Sequence, residues 1–176
     1  INNMCDIAIG ANREKVCNNL QGGNREFYFF NYVEDAFTVT AGEATALDGL
    51  TGSTVYKYVI QGDGNTFTQS SVTDAKVGTK VNTQTLVGQL KQIDASTNVE
   101  LDKLASGQIG GVVKDRNGKY HWFAKDGVNV TATIEAVTGG ASADFNGYNV
   151  TLVAETLELA PILDATTVTS FLGLLA

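Results

Sequence analysis

Two cysteines and one histidine are the residues of this chain best suited to binding a metal. Cys5 and Cys17 lie in the N-terminal segment, whereas His121 lies far along the chain. A structural zinc site needs about four nitrogen or sulfur ligands, so we expect no metal site. The cysteine pair leaves two interpretations open, a loop-closing disulfide or two free thiols, and buried free thiols are the simpler one.

Acid–base and nucleophilic catalysis have little support in the sequence. His121 lies between aromatic residues, and no serine-elbow or cysteine-nucleophile motif accompanies it. Glu155 and Glu158 are three residues apart, so on a strand they face opposite sides and do not form a carboxylate pair. No glycine-rich phosphate motif is present. We therefore expect a non-enzymatic protein without a cofactor.

The composition limits the partners of the chain. It has 176 residues, a net charge of −7 and only 18% charged residues. A nonspecific nucleic-acid binder needs clustered Lys and Arg, and the 12 basic residues here are scattered among 19 acidic ones. No apolar run reaches the roughly 20 residues that span a bilayer, and the first residues do not resemble an intact signal peptide, so we expect no membrane anchor.

Turn signals divide the chain into segments of strand length. Asn-Gly and Asp-Gly pairs tolerate the positive φ angles of tight hairpins, and the segments between them alternate polar and apolar residues. Strands are predicted at 26–33, 55–60, 66–72, 81–93, 128–137 and 148–155, with 26–33 covered on both faces. Long strands with polar residues indicate a sheet that has one solvent-exposed face.

One helix is predicted at about 98–106. Thr97 and Glu100 have the spacing of a capping box, Leu101 and Leu104 share a face, and Gly107 ends the segment. Replacing Thr97 by Ala is therefore expected to cost about 1 kcal/mol through the lost cap.

The order of elements resembles the tail tube (major tail) proteins of tailed bacteriophages of Bacteroidetes hosts. The segments that carry the resemblance are NVELDKLASG, IGGVVKD, RNGKYHWF, KDGVNVTATIEAV, TGGASADFNGY and NVTLVAETLELAP, together with the opening MCDIAIG and VCNNLQGGNREFYFFNYVED. The similarity spans most of the chain and consists of segment order and turn chemistry rather than one invariant motif.

The resemblance implies one mainly β domain over residues 1–176, an antiparallel β-sandwich or barrel with one short flanking α-helix. It has an N-terminal segment, 1–22, and a C-terminal arm, 161–176. The family implies hexameric rings that stack into a tube, contacts with other tail and virion proteins, and DNA that passes through the lumen without specific binding. It also implies a location in the virion tail, with assembly in the bacterial host cytoplasm.

Two segments are candidate inter-subunit contacts. The polar stretch DAKVGTK is predicted to be a long hairpin loop that reaches a neighbouring subunit or ring or, alternatively, a plain solvated loop. The apolar C-terminal arm is predicted to pack on an adjacent subunit or ring or, alternatively, to fold back over its own sandwich. The candidate contact residues are Asp74, Lys76, Val77, Lys80, Ile162, Leu163, Phe171, Leu172 and Leu175.

Two other functions remain open at this point. One is another virion part, such as a ring, joining or capsid-decorating protein. The other is a carbohydrate- or surface-binding β module, in which Trp122 and Tyr120 would contact the ligand.

Overall fold

The computed structural model describes residues 12–14, 18–60, 64–126 and 130–176. The chain forms eleven strands and two helices in this part. The strands are β1 Asn24–Asn31, β2 Phe37–Thr40, β3 Glu43–Leu47, β4 Tyr56–Val59, β5 Thr66–Asp74, β6 Thr79–Lys91, β7 Ile109–Asp115, β8 Tyr120–Phe123, β9 Thr131–Val137, β10 Gly147–Thr156 and β11 Ile162–Leu163. The helices are α1 Ala95–Ser106 and α2 Ala165–Leu172. The mainly β prediction is therefore confirmed.

The strands form two sheets. The large sheet has the order β2-β3-β11-β8-β7-β1-β4, and the small sheet has the order β5-β6-β10-β9. The large sheet is antiparallel except where β11 lies parallel to β3, and every pairing in the small sheet is antiparallel. Neither order closes on itself, so the described part of the chain is a two-sheet fold and not a closed barrel.

Two hydrophobic clusters cover the two faces of the large sheet. Phe27 and Phe29 of β1 pack with Leu152 of the small sheet and Leu101 of α1. The alternate β1 residues, Tyr28 among them, pack on the other face against α2 and the chain between β1 and β4. The prediction that this strand is covered on both faces is confirmed.

The small sheet lies across the strands of the large sheet. Leu90 of β6 and Tyr58 of β4 line the same small cavity, and Gly88 of β6 lies against Phe27 of β1. Further along, Gln84 accepts a hydrogen bond from the backbone N–H of Ala124, directly after β8. Successive β6 residues therefore meet β4, β1 and β8 in turn, and the far end of β6 leads away from the β4 edge.

Helix α1 begins three residues earlier than the capping-box prediction. Its N-cap is Asp94, whose carboxylate accepts hydrogen bonds from the backbone N–H groups of Ser96 and Thr97. The Ser96 and Thr97 hydroxyls also bond this carboxylate, and these bonds lower the pKa of Asp94 to about 2. Glu100 forms an ion pair with Lys103 instead of capping the helix. The predicted Thr97 cap was wrong because Asp94, a more strongly preferred capping residue, precedes it.

The single-helix prediction was also wrong, because α2 occupies the C-terminal segment. Asp164 caps it by accepting a hydrogen bond from the backbone N–H of Thr167 at 2.7 Å.

Some of the predicted features lie outside the described residues. These are Cys5 and Cys17, most of the segment 1–22, and the first two residues of the strand predicted at 128–137.

Candidate assembly surfaces

The outer face of the small sheet is rich in hydroxyl groups. Alternate residues of β6 and β10 are buried in the sandwich, so the intervening residues face outward. The register places two outward rows across the four strands. These rows are Thr68, Thr85, Val153 and Thr131, and Thr66, Val87, Thr151 and Thr133. Hydroxyl and methyl groups therefore alternate over a regular surface.

Carboxylates outnumber cations on this outer face. By the same alternation, Asp74, Glu135 and Glu155 face outward, together with Lys91 at the end of β6. Within these four strands, the remaining outward residues are uncharged. A polyanion near this face would meet a surface of its own sign and no cluster of basic side chains.

Both edges of the small sheet are available for pairing. Strands β5 and β9 are its outermost members, and each is hydrogen-bonded to one neighbour only within the described chain. Edge strands with unpaired backbone groups are templates for pairing with another chain. Because β5 and β9 run in opposite directions, an antiparallel β9–β5 contact between two copies would continue the alternation of strand directions.

The segment Asp74–Lys80 forms a tight hairpin and not the long loop that was predicted. Asp74 organises the turn, because its Oδ1 accepts the backbone N–H groups of Lys76 at 2.9 Å and Val77 at 3.3 Å. The N–H of Gly78 donates to the carbonyl of Asp74, and Gly78 has a φ of 75° that favours glycine. Asp74 therefore has a local role in the turn.

The hairpin extends beyond the rest of its sheet. Strand β10 pairs with β6 only as far as Asn82, so the last three β5–β6 pairs, which begin at Val72–Val81, form an isolated ribbon. At about 3.4 Å per residue, this ribbon is about 10 Å long, with the turn beyond it. Val72 is 59% exposed and Val77 is 72% exposed. Lys76 and Lys80 are exposed as well. The hairpin is therefore an apolar tip with flanking cations.

The C-terminal segment lies on the large sheet of its own chain, the alternative that the sequence left open. Phe171 is fully buried and Leu163 is 5% exposed. These two side chains are core residues in this structure and not surface contacts, because α2 fits between the aromatic residues of β1 and the strand β3. Ile162, Leu172 and Leu175 are only partly buried.

A buried polar seam anchors the hairpin strands to the chain that leads to α2. Asn82 and Gln84 are fully buried. The amide of Asn82 donates to the carbonyl of Glu158 at 2.9 Å, and Gln69 Oε1 accepts the N–H of Ala160 at 2.7 Å. Because buried amides are costly without partners, this seam fixes where the hairpin leaves the body.

The aromatic residues proposed as ligand contacts are in the core. Trp122 is 2% exposed and Tyr120 is 7% exposed, so the interpretation of these residues as a carbohydrate platform was wrong. These aromatic side chains are in the core because β8 carries side chains that are buried on both of its faces. His121 Nε2 lies 3.2 Å from Asp115 Oδ2, beside the ring of Phe67.

The described residues contain no group of three potential metal ligands. Within them, no helix has the length and apolarity needed to cross a bilayer. Cys5 and Cys17 lie outside this part of the chain, so their state stays a prediction.

Sequence reasoning missed the outward Val72–Val81 pair and helix α2. The helix had a readable signal, because Asp164 precedes Val168, Phe171, Leu172 and Leu175, which recur at helical spacing. The valine pair had none, since its exposure depends on where β10 ends.

The chain matches no protein-family model, and no curated protein or solved structure is detectably similar to it.

Proposed function

We propose that this protein is a structural subunit that forms hexameric rings, and that the rings stack into a tube such as the tail tube of a bacteriophage. The small sheet gives the main support for this proposal. It combines two edges that are open within the described chain with an outward face of hydroxyls and carboxylates. Closure into a ring removes the open edges, and the outward face then lines a channel.

Ring closure follows from the strand directions. Rotation about a ring axis along the strands keeps the direction of each strand, so β9 of one copy meets β5 of the next in antiparallel orientation. Every copy then uses the same two edges, which is a heterologous contact that closes when the rotation allows it. A closed barrel leaves no sheet edge to aggregate.

The channel face suits the passage of DNA without binding. Binding of duplex DNA is dominated by Lys and Arg that neutralise phosphates and release counterions. Glu135 and Glu155 face the channel in this arrangement, and electrostatic repulsion acts within a Debye length of about 8 Å at physiological salt. DNA near the wall is therefore repelled and slides. The chain's place in the virion tail, its assembly in the host cytoplasm and its contacts with other tail proteins belong to the same proposal.

The mass of the assembled protein tests ring formation. Light scattering on the full-length chain should show a species of six copies of the 18.6 kDa subunit, about 112 kDa, or multiples of it. A particle that stays monomeric up to millimolar concentration would contradict the proposal.

The charge of the channel face is tested with DNA. The wild-type assembly should not retain duplex DNA in a filter-binding assay, whereas Glu135→Lys with Glu155→Lys should retain it in a salt-dependent manner. The matched control is Glu43→Lys with Asp48→Lys, which makes the same charge change at two exposed positions on and beside β3, away from the channel face. Retention of DNA by the wild-type assembly would argue against a channel in which DNA slides.

A further inference from the structure

A groove runs along the free edge of the large sheet. It has a volume of about 740 Å³ and is lined by Tyr56 and Tyr58 of β4, Lys103 and Leu104 of α1, and Leu175 near the C-terminus. This volume lies within the range of about 300–1,000 Å³ that is typical of binding clefts. We call it the β4 groove.

The β4 groove presents apolar surface beside a strand whose outer edge has no partner strand within the described chain. β4 is the outermost strand of the large sheet and pairs only with β1 within the described chain. Tyr56 is 52% exposed. The groove's lysines have partners, because Lys57 pairs with Glu26 at 3.3 Å and Lys103 pairs with Glu100 at 2.9 Å. An apolar side chain can therefore enter the groove without breaking the ion pairs of these two lysines.

The hairpin tip and the β4 groove lie at opposite ends of the molecule. Leu90, near one end of β6, is next to Tyr58 of β4, whereas Gln84 reaches Ala124, directly after β8, the middle strand of the large sheet. The hairpin continues from Gln84 away from β4. A chain therefore cannot place its own tip in its own groove, but a second copy stacked along the β6 direction can.

We propose that the β4 groove receives the hairpin tip of a second copy, with Val77 as the inserted side chain, and that this contact joins one ring to the next. The inference rests on the proposed function, because the strands of the small sheet run along the axis of the proposed ring. The tip then leaves one end of the ring, and the groove opens at the other end.

The size of the contact explains why it needs a ring. A turn of four residues with one flanking valine pair is too small to bury the roughly 1,200 Å² of a stable pairwise interface. Repetition around a ring makes the contacts act together, since each contact raises the effective concentration of the next one. The structure therefore predicts stacking of rings without stable dimers held by the tip alone.

Photocrosslinking of the full-length protein tests the contact directly. Val77 is replaced by benzoylphenylalanine, isotopically labelled and unlabelled chains are mixed, and crosslinked peptides are mapped by mass spectrometry. We expect mixed-label crosslinks between position 77 and residues 55–58 or 103–109. Crosslinks that map elsewhere, or the absence of crosslinks at concentrations where the protein assembles, would overturn the inference.

Substitutions at the tip separate this inference from ring formation. Val77→Asp should leave rings intact and shorten stacked tubes at least tenfold, whereas Val77→Ile should preserve them. The same charge placed at Leu159, which is 61% exposed in the chain leading to Pro161, should have no effect on stacking. Normal tubes from Val77→Asp would overturn the inference and leave the ring proposal standing. If the wild-type protein forms no rings, the proposed function fails, and this inference, which depends on rings, fails with it.

Discussion

Replacing Phe171 by Ala tests whether the C-terminal helix belongs to the core of its own chain. Phe171 is fully buried, and its ring lies 5.5 Å from that of Tyr28, 5.8 Å from that of Phe37 and 6.3 Å from that of Phe30. Truncation of a buried Phe to Ala costs about 3–5 kcal/mol of unfolding free energy. Three aromatic neighbours place the expected loss in the upper half of that range, because each edge contact adds to the burial.

Urea unfolding followed by tryptophan fluorescence measures this loss. Trp122 is the chain's single tryptophan and lies 5.0 Å from Phe37, in the same cluster as Phe171. At about 2–4 °C per kcal/mol for a chain of this length, a loss of about 4–5 kcal/mol should lower the midpoint of thermal unfolding by roughly 8–20 °C. Ser170→Ala on the exposed face of α2 is the control and should change stability by less than about 0.5 kcal/mol. A loss below about 1 kcal/mol for Phe171→Ala would refute the core assignment and restore the arm interpretation.

Three further predictions concern the body of the subunit. Asp94→Ala should lower the thermal midpoint at neutral pH, and because the Asp94 pKa falls from an ordinary 3.8 to about 2, the difference from wild type should shrink from about pH 4 downward and vanish below about pH 2; a difference as large below pH 2 as at neutral pH would contradict the capping role. Gln84→Leu should cost about 1–3 kcal/mol in urea unfolding, since it leaves the buried N–H of Ala124 without its acceptor, and an unchanged midpoint would contradict this. Gly88→Ala should cost about 1–3 kcal/mol, because the added methyl would lie 2.4 Å from an atom of the Phe27 ring; a neutral result would show that this ring can move aside.

The strands were predictable because their signals are local. Alternation of polar and apolar residues located β5, β6 and β10, and the Asn117-Gly118 pair lies in the turn that joins β7 to β8. The solvent-exposed face of the small sheet was predictable from the polar residues that alternate along these strands. These features depend only on side-chain period and turn chemistry.

The remaining features depend on contacts between distant parts of the chain. Whether Val72 and Val81 are exposed is decided by the length of β10, about 70 residues further on. The burial of Trp122 depends on Phe37 from a strand that was not predicted. The start of α1 was missed for a different reason, since the prediction followed the capping-box spacing of Thr97 and Glu100, although Asp94 is the more strongly preferred N-cap.

Electron microscopy of the purified full-length protein is the most direct test of assembly into hexameric rings. We expect six-fold rings that stack into tubes with an open axial channel. The walls of the channel should consist of small sheets joined edge to edge through β5 and β9. Monodisperse single subunits under all conditions, or an assembly in which β5 and β9 remain unpaired, would contradict it.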